Sequence, residues 1–306
     1  MDIESIKAEF ERLGGKENNG FPFIDSPVFY TSNGTPYLRS SGIALVAKSR
    51  VNLSGAQSFL DGFSDELGFG DYLRDPTKLG DAEQLTKFAG QVCYASFSAK
   101  RTSNDGALGY FRNIVESGHG SVLEHVNVSL LWWGISRTLS HELVRHRAGM
   151  GYSQLSQRFV SGKVLRFVER PEYQEDKELH GEFETRIDRA AKEYEEVAET
   201  LLAKQKTGDK ILSAESRTDL RKKVQQAARS GLPGETETHV VVTGNVRAWR
   251  HVSSMRASEH AEVEIRGATY NNFLCLAVAI PMLFEDYEIV ELADGTRGVR
   301  TKYPKV

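Results

Sequence analysis

The chain has 306 residues, 40% hydrophobic and 26% charged, with a formal net charge of -3. This is an ordinary soluble composition, long enough to bury a substantial core. The balance excludes a general nucleic-acid binder, which carries a clear basic excess. No run of about 18 apolar residues offers a membrane span, and the acidic Met1-Asp2-Ile3-Glu4 is unlike a signal peptide, so a cytoplasmic protein is expected.

Residues 2–13 read as a short amphipathic helix stopped by Gly14-Gly15, and 16–40 as a turn-rich extension over the surface. Strand character follows at 43–51, and helical periodicity at 81–96 and 105–117. Residues 125–133, ending in Trp132-Trp133, form the clearest strand, and a helix over 136–144 follows it directly. A polar run at 172–205 repeats apolar positions at helical spacing and predicts one or two long helices with a solvated face. A helix at 216–228 stops before Gly231 and Pro233, 236–243 is a strand, and 246–257 and 262–283 are helical. The tail from Asp286 gives a last strand and a turn at Asp294-Gly295. No linker divides the chain. The expected fold is α+β: an extension over 1–40 and a single catalytic domain over 41–306, with a central, mostly antiparallel sheet flanked by helices.

The only cysteines, Cys93 and Cys275, sit among apolar neighbours and belong to no CxxC motif. Buried free thiols are expected.

The stretch Val144 to Phe159 has the composition of an anion site. Arg145, His146 and Arg147 precede Gly149 and Gly151, and Ser153, Gln154, Ser156, Gln157 and Arg158 follow. Arg137, His141 and Arg145 are spaced i, i+4, i+8 along one helical face, and that helix must end at Gly149 or Gly151. Dipole complementation at a helix C-terminus could account for Arg145 and Arg147, but not for Arg158. Arginine's planar fork suits phosphate or carboxylate. A zinc helix is excluded by spacing: His141 and His146 are at i and i+5, roughly 140° apart around the helix, so no metal is expected. Neither a dinucleotide glycine fingerprint nor a P-loop is present.

A second basic group comprises Arg229, Arg247, Arg250, Arg256 and Arg266 with His251 and His260. Arg250 and Arg266 are expected in surface ion pairs with Glu259, Glu262 or Glu264, contributing little. A third group, His119-Gly120-Ser121 through Glu124-His125, taken alone is a capped turn. Ser156 has no convincing base with an orienting partner, so it reads as a hydrogen-bond donor and not a nucleophile.

Together His119-Gly-Ser-Val-Leu-Glu-His125, His141-Glu-Leu-Val-Arg-His-Arg147 with Ser153-Gln-Leu-Ser-Gln-Arg158, Ala228-Arg-Ser-Gly-Leu-Pro233, and Asn245-Val-Arg247 with Arg256 and His260 resemble the flavin-dependent thymidylate synthases. They occur in the family's order over roughly residues 43–283. The resemblance implies a homotetramer with active sites at subunit interfaces, binding FAD, dUMP and methylene-tetrahydrofolate, with NADPH as reductant. It implies flavin positions at His119, Ser121, Arg145, His146, Arg147, Asn245, Arg247 and His251. Nucleotide positions fall at Glu142, Gln154, Ser156, Arg158, Arg229 and Arg256, and His260 stands close to the flavin. Arg256, Arg229 and His260 are the catalytic candidates, with the two arginines at the uracil oxygens. Three departures stand out: eight residues separate Arg147 from Ser156 where seven are usual, Glu142 replaces a glutamine, and His251 replaces an asparagine. They leave open the same chemistry on UMP, or a catalytically silent flavin- or nucleotide-binding protein.

Overall fold

The computed structural model describes residues 3–56, 58–59, 74–97, 101–159, 165–214 and 216–306. Its centre is a six-stranded antiparallel sheet built from β1 (Lys16–Asn18), β2 (Phe21–Ile24), β5 (Gly42–Lys48), β6 (Asn127–Ser136), β9 (Glu237–Asn245) and β7 (Met150–Gln154), in that spatial order. β3 (Val28–Tyr30) and β4 (Pro36–Leu38) form a smaller sheet with β8 (Phe167–Val168), the one parallel pairing being β4 with β8. The segment read as a surface cover therefore supplies two strands of the main sheet, with Phe23 opposite Ala44 of β5. Its short, turn-broken strands carry too little periodic signal to stand out alone.

Burial along β6 alternates up to Gly134, as a strand with one core face requires, and its register sets Val128 opposite Gly244 and Trp132 opposite Val240. The core lies between this sheet and α8 (Val263–Ala279), which is buried on nearly all sides. Such a helix has no polar face to present to water. It stops at Ala279 rather than 283 because Ile280 precedes Pro281 and adopts φ -141°, ψ 63°, outside the helical region. α7 (Val246–Arg256) follows β9 directly, and its Trp249 stacks on Trp132 with ring centroids 6.4 Å apart. α1 (Ile3–Arg12) packs on α8 through Ile6 and Phe10.

The remaining described α-helices are α2 (Asp81–Tyr94), α3 (Ala107–Glu116), α4 (Arg137–Leu143), α5 (Lys177–Lys206) and α6 (Arg217–Ala228). The polar run forms one continuous helix, α5, capped by Asp176 accepting from the Glu178 and Leu179 amides. The tail contributes two strands, β10 (Tyr287–Glu291) and β11 (Arg297–Thr301), around the Asp294-Gly295 turn.

Several expectations are corrected. Cys275 is buried, but Cys93 is exposed, because α2 turns Glu83, Thr86, Lys87, Gly90 and Gln91 inward and leaves Val92, Cys93 and Tyr94 outside. Arg250 and Arg266 are buried, not surface-paired. Arg250 holds Asp286 through both terminal nitrogens at 2.7 and 2.8 Å, and Arg266 reaches Asp294 at 2.8 Å. These partners lie on the last hairpin and its approach, contacts that local helix spacing cannot reveal. No described helix is long and apolar enough to cross a membrane.

Candidate functional site

α4 begins where β6 ends. Ser136 caps it, its Oγ accepting from the Leu139 amide at 3.0 Å while donating to the buried Glu264 carboxylate at 2.7 Å. Burial pushes the Glu264 carboxyl above its usual range, and the two Ser136 hydrogen bonds oppose that shift. The helix ends at Leu143, earlier than the glycines suggest, so Arg145 leaves the face carrying Arg137 and His141. Residues 144–149 instead turn the chain into β7, a strand the sequence reading missed beside the main sheet's β9. Tyr152 pins this turn, its hydroxyl donating to the Leu143 and His146 carbonyls at 3.0 and 2.6 Å, and burial pushes its phenol up to about 12.

At the start of α4, Arg137 is half-buried, and burial together with the nearby Arg229 charge lowers its pKa below the ordinary guanidinium value. Arg137, Arg145, Arg147, Arg158 and Arg229 form no salt bridge or side-chain hydrogen bond with another described residue. Arg158 is the sharpest case, because its Nε is buried without a partner. With Phe159, Arg217, Thr218, Arg221, Lys222 and Gln225 it lines a cavity of about 570 Å³. Lys222 sits over the Phe159 ring at 5.1 Å. Withdrawn cations without counter-ions are costly, and an anionic ligand relieves that cost. Arg137 was expected on a basic helical face, whereas the α6 residues were not singled out from the sequence. Their signal, i and i+4 spacing of Arg217 with Arg221, resembles any solvated helix face.

Gln154 spends its amide nitrogen on Ser140 Oγ at 2.8 Å and Thr238 Oγ1 at 3.2 Å, which leaves its carbonyl for a ligand. Ser156 Oγ accepts from the Arg158 amide at 3.4 Å. No base contacts it among the described residues.

At the far end of α4, Arg256 of α7 donates from Nη1 to Glu142 Oε2 at 2.6 Å and from Nε to His146 Nε2 at 2.9 Å. His146 thus carries its proton on Nδ1. Burial, then the charge of Arg256, then His251 lower its pKa to about 4, so the ring is neutral at physiological pH. His251 stands edge-on to it, with centroids 5.8 Å apart. Arg229 and Arg256, expected together at one base, stand toward opposite ends of α4. One lies by the start of α4 and the other at its end, five residues or roughly 8 Å along the axis.

A second cavity, of about 360 Å³, is lined by Glu124, Ala148, Gly149, Asn245, Arg247, Ala248, His251, Lys305 and Val306. Asn245 caps α7, accepting from the Ala248 amide at 2.8 Å, and its own amide donates to the Gly149 carbonyl at 3.1 Å. Gly149 is required there: its φ is +70°, and a Cβ would lie 2.6 Å from Asn245 Nδ2. Arg247 pairs with Glu124 at 2.6 Å and crosses Gly120, where a Cβ would come 2.9 Å from Arg247 Nε. His119 and Ser121 flank that glycine and are exposed. His260 lies outside this group, 88% exposed beside Glu259. Among the described residues no three His, Cys, Asp or Glu side chains are grouped to hold a metal ion.

The scaffold is thus a mostly antiparallel α+β fold whose turns carry glycine-lined cavities and arginines that have no ion pair among the described residues. The family model described as thymidylate synthase complementing protein matches residues 76–281. The flavin-dependent thymidylate synthase of Mycobacterium tuberculosis (strain H37Rv) is 44% identical over 231 residues, 74% of this chain and 90% of that protein. The flavin-dependent thymidylate synthase of Mycobacterium sp. (strain JLS) is 46% identical over 218 residues, 71% of this chain and 84% of its own. The chain belongs to the flavin-dependent thymidylate synthase family. A solved structure, the UMP/dUMP methylase PolB from Streptomyces cacaoi bound with 5-Br dUMP, shares the fold, with TM-score 0.55, 18% identity, and 81% and 94% of the two chains covered.

Proposed function

We propose that this chain methylates dUMP at uracil C5, taking the carbon from methylene-tetrahydrofolate, with FAD as cofactor and NADPH as reductant, to give dTMP. The observation that carries the reading is the set of unpaired arginines around α4, β7 and α6, in a chain of family membership and net negative charge. The relatives are named for thymidylate, which favours the deoxyribonucleotide over UMP and an enzyme over a silent binder.

The residues present fit a flavin dinucleotide. The 360 Å³ cavity has room for one end of it, Gly149 and Gly120 let backbone and Arg247 come close, and Arg145 and Arg147 are free to meet a diphosphate. Bound there, FAD supplies the hydride chemistry that no side chain can. His119, Ser121, Asn245, Arg247 and His251 would hold and orient it.

On the nucleotide side, Arg137, Arg158 and Arg229 would take the phosphate, with Ser156 as a hydrogen-bond donor and Gln154 offering its carbonyl. Arg256 is the group best placed to polarise the base. Fixed by Glu142 and His146, it is a preorganised donor for the negative charge that develops as C5 becomes nucleophilic. Glu142 therefore serves Arg256 rather than opposing the phosphate. No protein nucleophile is required, and burial pushes the Cys275 thiol far up, out of thiolate range. As the family resemblance implies, the full site would form between subunits of a homotetramer, with the exposed His260 reaching a partner's flavin. A cytoplasmic location belongs to the same reading.

The test is a product assay with FAD, NADPH and methylene-tetrahydrofolate, supplying dUMP and UMP in parallel. dTMP formation at the higher rate is expected. Faster methylation of UMP, or no product with flavin bound, would contradict the proposal.

A further inference from the structure

The flavin-side cavity has one wall that lies beyond the residues matched by the family model. Lys305 and Val306 line it beside Asn245, Arg247 and His251, although the match ends at residue 281. Their position is built, not incidental. Arg250, fully buried on the same helix as Arg247 and His251, donates from Nε to the Val306 carbonyl at 3.1 Å and from Nη1 to the Leu283 carbonyl at 2.8 Å. Its terminal nitrogens grip Asp286, which also accepts from Thr301 Oγ1 at the end of β11. From there the Tyr303 amide donates to Thr301 Oγ1 at 3.0 Å, and the Val306 amide donates to the Tyr303 carbonyl at 3.2 Å. Tyr303 and Val306 pack on the main core.

Between these two anchors Pro304 restricts the backbone and Lys305 is exposed. Lys305 has no salt bridge or hydrogen bond with another described residue. Two other charged side chains of the lining, Arg247 and Glu124, form a closed pair. Among the described residues, Lys305 is thus the one charged side chain of the lining without an ion pair, delivered by a segment whose backbone is tied down on both sides. A strongly hydrated ammonium at a cavity rim acts as a point charge for phosphate.

We propose that Lys305 is a further cofactor-binding residue of this chain, contacting the anionic diphosphate portion of the flavin dinucleotide. This rests on the flavin reading of the cavity. The segment 302–306 is then part of the site, and the buried Arg250 is what keeps it there.

The test is titration of the full-length, flavin-stripped protein with FAD and, separately, with riboflavin, which lacks phosphate, following flavin fluorescence. Lys305→Ala should weaken FAD binding roughly threefold to tenfold, and Lys305→Glu by more, as expected for losing or reversing one charge-assisted contact. Lys305→Arg should retain wild-type affinity, and riboflavin binding should be unchanged in all three. Arg247→Ala is the control. If it loses FAD while the Lys305 variants bind as wild type, Lys305 has no such role and the cavity assignment stands. If Arg247→Ala also binds normally, the cavity is not the flavin site and the proposal falls with it. Equal losses for FAD and riboflavin would likewise overturn it, because the effect would not come from phosphate.

Discussion

Arg250 and Arg158 carry the same guanidinium into opposite surroundings. At the junction of α7 with the last hairpin, Arg250 is fully buried, and its donors meet two carbonyls and both oxygens of Asp286. Arg166 with Glu237 and Arg186 with Glu235 repeat this two-pronged pairing elsewhere. Around α4 and β7 the pattern inverts: Arg137, Arg158 and Arg229 are withdrawn from water beside one another or beside apolar groups, without a carboxylate. Saturated arginines hold a fold together, whereas unsaturated ones wait for something outside it. Arg256 lies between the two kinds, braced by Glu142 and His146 yet still partly exposed at the cleft.

The comparison breaks most readily at Arg250. Arg250→Ala leaves the partly buried Asp286 without its ionic partner and should lower stability by about 3 kcal/mol in urea denaturation. A loss well under that would mean the saturated network does not hold the hairpin. Next is Arg256→Ala, expected to retain flavin but to slow dTMP formation by about 10²–10³, the cost of one preorganised donor. Loss of flavin with normal turnover on resupply would place Arg256 on the cofactor instead.

His146 sharpens the contrast through pH. Its folded pKa is depressed from the ordinary 6.5 to about 4, so between those values the unfolded chain binds the extra proton. Its contribution to stability is present above 6.5 and is lost as pH falls toward 4, by at most about 1.4 kcal/mol per unit. Denaturation midpoints from pH 7 to 4 should fall more steeply for wild type than for His146→Gln; parallel curves would refute the burial argument. The smallest effect belongs to Ser156→Ala, which should weaken dUMP binding by about 0.5–1.5 kcal/mol and leave turnover at saturating nucleotide. A covalent nucleotide adduct on Ser156 would contradict its role as a donor.

Much of this was readable from the sequence where the signal is local. The periods of α5, α7 and β6 and the order of motifs all lie within short windows. What stayed hidden depends on distant partners. Arg250 resembles any surface arginine until Asp286 is brought to it, and β1 and β2 resemble loop until they pair with each other and β2 pairs with β5. Arg137 reads as helix-face decoration until Arg229 arrives from 92 positions away, a separation fixed by the sequence numbers. Lys305 carries no motif, and only the anchoring of its neighbours gives it a place.

The central claim is that the unsaturated arginines serve the nucleotide and not the fold. Calorimetric titration of dUMP into flavin-loaded wild type and Arg158→Gln, with thermal melting of the same samples without nucleotide, tests it directly. The expected result is dUMP binding weaker by about 1.5–3 kcal/mol, the scale of hydrogen bonds to a charged group, with an unchanged or slightly raised melting temperature. Unchanged affinity, or a melting temperature that falls as it does for Arg250→Ala, would contradict it.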